Sequence, residues 1–179
     1  GNDVMRKACL QLSEWRATGL NVSSIGVNVS IKQLHDKTSW LDAVKDALSN
    51  ARLAPEFLDL ELTETAFVTN DQSVHSVLLE AGQLGVKIAI DDFGIGQSSL
   101  GRLRDLPVVN LKIDGSFVRA IENNESDTAL MRSIIDLAHG QGVKVTAEWV
   151  ETESQMEILR SIGCDFAQGY FISPPLPAD

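Results

Sequence analysis

The stretch VKIAIDDFGIGQSSL, residues 86–100, decides the fold. Val86, Ile88, Ala89 and Ile90 make a short, nearly continuous apolar run. Such a run, bounded by turn residues, reads as a strand covered on both faces, as in a parallel sheet. It stops at two adjacent carboxylates, Asp91 and Asp92, followed by Gly94 and Gly96 in a loop. A helix is expected from about Ser98. Two acids side by side are costly unless a cation or hydrogen-bond donors compensate them. A turn would need only one of them.

Outward from this stretch the same design repeats. Residues 3–18 read as an amphipathic helix with Val4, Ala8, Leu12 and Trp15 on one face. A strand at 24–30 ends near Asn28, and a helix at 40–51 carries Leu41, Val44 and Leu48. A strand at 57–62 is followed by a helix at 71–84 that Gly85 stops. After the opening stretch come a strand at 108–113, a helix at 126–139, a strand at 143–147 and a helix at 152–162. A last short strand is expected at 166–170, and the tail ISPPLPAD reads as extended. Strand and helix alternate throughout, which calls for a parallel α/β fold. Six strands are fewer than the eight of a (β/α)8 barrel. The pattern therefore fits a TIM-type barrel, incomplete here, of about six βα units. An open doubly wound sheet is the alternative, although no glycine-rich dinucleotide fingerprint follows any strand.

Composition narrows the function classes. The chain has 179 residues, 44% of them hydrophobic, enough for the core of one domain. Its net charge of -10 argues against a nucleic acid polymer or an anionic membrane as partner. Cys9 and Cys164 do not make a disulfide framework and read as reduced thiols. No apolar run approaches the roughly 20 residues that span a bilayer, and no signal peptide is visible, so a cytoplasmic domain is expected. A membrane anchor elsewhere in the parent protein remains open.

Every strand ends in a polar group: Asn28, Glu61, Asp91 with Asp92, Lys112, Glu148 and Gln168. In a barrel these ends form one rim, where active sites sit. The possible ligands are oxygen donors, which select Mg²⁺ or Mn²⁺ rather than zinc. Several acids on one rim can hold two ions for displacement at phosphorus. Lys112 would neutralise charge, and Glu148 is a candidate base. Taken singly, each has a plainer reading. Glu61 could be a rim charge, Asn28 a cap, and Lys112 a partner for Asp114. An enolase-type Mg²⁺ enzyme fits the same pattern. His35, His75 and His139 share no ligand spacing and read as structural. Trp15 and Trp40 read as packing residues, and the run from Glu151 to Glu153 as an acidic helix start.

The motifs VNVS (27–30), LELTET (60–65), IAIDDFGIGQSSL (88–100), LPVVNLKIDGSFV (106–118), VTAEWVET (145–152) and GCDFAQGYFISPPLPA (163–178) together resemble the EAL-domain family. That resemblance implies a (β/α)8 barrel whose first strand is antiparallel. It also implies hydrolysis of cyclic di-GMP to linear pGpG with Mg²⁺ or Mn²⁺, as two ions. By resemblance Asn28, Glu61, Asp91 and Asp92 match metal ligands, and Glu148 an essential acid of the metal site. Lys112 matches the lysine that orients the catalytic water, and Gln168 a polar group near that water. Glu64 matches a glutamate that shapes the loop after Asp92, and Glu151 a further acid of the site. A homodimer and an upstream sensory or GGDEF domain are implied partners. Residues 1–179 then read as a partial EAL domain, with the amino-terminal strands that carry the Glu-Ala-Leu signature and the carboxyl-terminal helix outside it.

Four departures bear on activity rather than fold. Ile95 replaces a usual Thr, Gln97 a common Tyr, and Gly115 a common Arg. Trp149 replaces the usual Gly beside Glu148, where a bulky residue cannot cheaply take positive φ. Alternation of faces along a strand points its side chain away from the site. Three functions stay open: a phosphodiesterase, a receptor that binds cyclic di-GMP without cleaving it, and a scaffold that offers only a dimer surface.

Overall fold

The computed structural model describes residues 1–68, 71–94, 103–122 and 124–178. Strands β1 (Ile25–Asn28), β2 (Leu58–Thr63), β3 (Lys87–Phe93), β4 (Val108–Ile113), β5 (Lys144–Ala147) and β6 (Phe166–Ala167) form one sheet. They lie side by side in chain order, and every neighbouring pair is parallel. A doubly wound sheet reverses direction at a switch point. This one never reverses, so it is half of a barrel.

The helices among the described residues are α1 (Asn2–Ala17), α2 (Ile31–Leu34), α3 (Lys37–Ala51), α4 (Glu64–Val68), α5 (Gln72–Gln83), α6 (Gly115–Ala120), α7 (Glu125–Gly140) and α8 (Glu153–Ser161). Side-chain caps set several starts: Asp36 accepts from Ser39 N–H, Asp71 from Ser73, Asp114 from Ser116 and Asn124 from Ser126. Thr152 and Gln155 form a reciprocal capping box on α8. The short helices α2, α4 and α6 lack enough turns to show a period, and the sequence pattern missed them. The helix expected from Ser98 lies outside the described residues, as do Ile95 and Gln97.

The core lies between the sheet and its helices. Leu58, Leu60 and Leu62 of β2 are fully buried, whereas Asp59 and Glu61 between them are partly exposed. Strand β2 thus alternates, whereas Ile88, Ala89 and Ile90 of β3 are all buried, as expected of a strand covered on both faces. One face is apolar and packs on helices, and the other carries the polar groups. Helix α1 is turned relative to expectation: Met5, Cys9 and Leu12 are buried, and Val4 is 60% exposed. Trp40 is buried as expected, while Trp15 is only half-buried and donates from Nε1 to Ala178 O at 3.0 Å. The extended tail therefore folds back onto α1. Both cysteines are free thiols. No described helix is long and apolar enough to cross a membrane.

Candidate active site

The site is built by strand register. Asn28 pairs with Glu61 across β1 and β2, and Thr63 with Asp91 across β2 and β3. Lys112 pairs with Thr146 across β4 and β5. The ladder continues beyond the strands, because Glu148 N–H donates to Ile113 O and Gln168 N–H to Ala147 O. These bonds fix the backbone at the carboxyl end of the sheet, so the side chains there are aimed by hydrogen-bonded chain.

Strand β3 contains both acids, which corrects the reading that it stops at Ile90. Between Ile90 and Phe93 it spends two residues where β4 spends one, a bulge at Asp91 and Asp92. Asp92 has φ 54°, in the left-handed region. Ordinary alternation would send adjacent side chains to opposite faces. The bulge re-aims one of them, so Asp91, Asp92 and Glu148 each offer a carboxylate oxygen within 4.8 Å of one another.

Lys112 lies at the centre. Its Nζ is 3.0 Å from Glu61 Oε2, 3.0 Å from Asp91 Oδ1 and 2.9 Å from Glu148 Oε1. Lys112 as a whole is only 7% exposed. Burial alone would pull it down, but the hydrogen bond to Glu148, the charge and hydrogen bond of Glu61 and the hydrogen bond to Asp91 outweigh burial. Lys112 is therefore a fixed cation. It does not pair with Asp114, which caps α6 instead. Burial pushes the Glu148 carboxyl above its ordinary value; Lys112 opposes that, and the charges of Asp91 and Glu61 add to it. Burial also raises Asp92, helped by repulsion from Asp91 and Asp114.

Asn28, Glu61, Asp91, Lys112, Glu148, Glu151 and Gln168 all line one open cavity of about 540 Å³. Asp92 joins through its proximity to Asp91 and Glu148. Glu64 stands apart: it is buried at the start of α4 and its Oε2 accepts from Gly94 N–H at 2.9 Å. That contact ties the chain just after the two aspartates. None of the three histidines lines this cavity; His139 Nε2 lies 2.7 Å from Asp165 Oδ2 on the sheet's other end.

The donor set suits a hard divalent cation. It is oxygen-only, carries more negative charge than Lys112 can balance, and brings three carboxylates within reach of one another.

Six contributors to this cavity escape a reading of the sequence. Trp149, expected to point away, forms part of the wall. Gly169, Tyr170, Ser173, Pro174 and Pro175 form another part, because the tail turns in after Gln168. Val150 N–H donates to Gln168 O, and Phe171 N–H to Val150 O, which holds that return. No local pattern encodes these contacts, since each depends on where the last strand lands.

A comparison with known families matches the EAL domain over residues 2–175. The chain is 36% identical over 179 residues to the signaling protein YkoW of Bacillus subtilis, covering all of this chain and 22% of that one. It is 40% identical over 174 residues to the cyclic di-GMP phosphodiesterase NbdA of Pseudomonas aeruginosa, covering 97% of this chain and 22% of that one. Among solved structures, the PaMucR phosphodiesterase in its c-di-GMP complex superposes with a TM-score of 0.92 at 36% identity, covering 99% of this chain and 72% of that one. The chain thus spans less than a quarter of the length of these two curated relatives.

Proposed function

The chain belongs to the EAL-domain family, and on that premise we propose that it hydrolyses cyclic di-GMP to linear pGpG in bacterial second-messenger signalling. The observation that carries this reading is the convergence of Glu61, Asp91 and Glu148 on the buried Lys112 ammonium, with Asp92 beside them. Relatives named as cyclic di-GMP phosphodiesterases support the substrate.

Asn28, Glu61, Asp91, Asp92 and Glu148 would hold Mg²⁺ or Mn²⁺, as two ions. When bound, such ions supply Lewis-acid stabilisation of charge at the phosphodiester. Lys112, fixed by its carboxylates, adds a positive charge where negative charge develops at phosphorus, and orients the attacking water. Glu148, at the same rim, is the group that would accept a proton from that water. Gln168 offers an amide to the same water. Glu64 keeps the backbone after Asp92 in place through Gly94. Glu151 adds negative charge at the rim. The family resemblance supports a homodimer, an upstream sensory or GGDEF domain and a cytoplasmic setting for the parent, with residues 1–179 as part of an EAL domain.

The test is pGpG release by the full-length chain, followed by anion-exchange chromatography. Release with Mn²⁺ or Mg²⁺ that stops with a chelator is the expected result. Intact binding of cyclic di-GMP without any pGpG would refute hydrolysis. It would favour the second reading, a receptor, which the lock of three carboxylates on Lys112 and the bulky Trp149 in the wall support. Calorimetry without metal separates the two.

A further inference from the structure

We infer that Trp149 is a ligand-contact residue that offers its indole face to one guanine base, and that Gly115 gives the indole its place. This rests on cyclic di-GMP as the ligand and adds a specificity contact to it.

Trp149 follows Glu148, whose carboxylate enters the site. Strand alternation would carry the next side chain to the helix-packed face, where Ala147 is fully buried. Trp149 instead has φ 57°. That region costs any residue with a Cβ, and a bulky one is an outlier there. Burial does not repay the cost, because Trp149 is 54% exposed. A strained, exposed tryptophan in the wall of a charged cavity calls for a ligand.

The indole needs a gap in its neighbour. A Cβ at Gly115 would come within 2.6 Å of both Cβ and Cγ of Trp149. The side-chain root therefore rests on the bare backbone of Gly115, and any side chain there would displace it. The two departures from the family pattern, at positions 115 and 149, are thus one feature: the smaller residue admits the larger.

The cavity wall and floor are chemically unlike. Lys112, Glu61, Asp91 and Glu148 make a charged floor, and Trp149 makes a flat apolar side. A ligand with a phosphodiester at one end and a planar base at the other satisfies both. About 540 Å³ lies within the usual range for a bound small molecule. Base stacking on an aromatic side chain is sequence-tolerant and substantial.

The experiment is calorimetric titration of the full-length chain with cyclic di-GMP in chelator, together with thermal unfolding. Trp149→Gly relieves the positive φ, so its thermal midpoint should be no lower than that of the wild type. Its affinity should fall about 5- to 150-fold, the equivalent of about 1–3 kcal/mol. Trp149→Phe should retain most of the affinity, because a ring remains. Gly115→Ala should weaken binding in the same direction while changing no charge. Unchanged affinity in Trp149→Gly overturns the proposal, and a lowered midpoint with wild-type affinity marks the indole as structural and overturns it equally. Absence of binding by the wild type overturns the ligand assignment and this contact with it.

Discussion

Lys112→Met is the most informative single change. Methionine keeps the length and apolar stem of lysine and deletes the ammonium. In the wild type that ammonium makes three contacts of 2.9–3.0 Å to Glu61, Asp91 and Glu148. At an effective dielectric of 20, each contact is worth about 5–6 kcal/mol of gross attraction. Desolvation offsets most of it. The deletion also leaves three acids facing one another with no counter-charge. Removing one partner of a buried ion pair typically costs about 3–5 kcal/mol, and this site belongs at the upper end. For a domain of this size the thermal midpoint should fall by about 6–20 °C. The loss should be repaired in two ways. Added Mn²⁺ should raise the midpoint of Lys112→Met more than that of the wild type, because an ion that binds only the folded state stabilises it. Lowering the pH should narrow the gap, because the Glu148 carboxyl, raised by burial, then protonates. Differential scanning fluorimetry across pH and Mn²⁺ reads all three effects. A shift under about 2 °C, or one indifferent to both Mn²⁺ and pH, would refute the view that Lys112 is the counter-charge of the cluster.

Other substitutions perturb neighbouring parts of the site. A Cβ at Gly26 would collide with Glu61 Oε1, so Gly26→Ala should push that carboxylate off Lys112 and weaken Mn²⁺ binding about tenfold by calorimetry with little loss of fold. Glu64→Ala removes the acceptor for Gly94 N–H and should cost about 1–3 kcal/mol in chemical denaturation while lowering activity through the chain after Asp92. Burial would raise the Asp165 carboxyl, but hydrogen bonds from His139 and Val145 N–H hold it below its ordinary value. Its stabilisation is therefore present above the unfolded carboxylate value of about 3.9 and is lost as pH falls through the lower folded value. Asp165→Asn should thus be less stable than the wild type at neutral pH, with the gap closing below about pH 4 in thermal melts.

Much of this structure is legible in the chain. Alternation of apolar runs with helical periods gives the parallel sheet and its order, because burial imposes those periods locally. The polar group at each strand end is legible for the same reason: Lys112 and Glu148 sit one register step past buried residues. What escapes is set by pairing between distant segments. The bulge at Asp91 and Asp92 arises where β3 meets β4, so neither strand encodes it alone. In α1 Leu12 of the expected face is buried, but Met5 and Cys9 are buried with it in place of Val4, Ala8 and Trp15. Neighbouring stripes satisfy the helical period nearly equally, and only packing against α3 and β1 chooses between them. Gly115 and Trp149 each stand out in sequence, yet nothing in 33 intervening residues announces that they touch. The same limit applies to the tail, which reads as extended but returns to wall the cavity and reach Trp15.

The central claim is that these side chains grip divalent cations at one mouth. Anomalous diffraction from crystals of the full-length chain grown with Mn²⁺ and cyclic di-GMP tests it most directly. Manganese peaks are expected within coordination distance of Asp91, Asp92 and Glu148, with a ligand phosphate facing Lys112. Manganese bound only elsewhere, with these carboxylates still closed on the lysine, would contradict it.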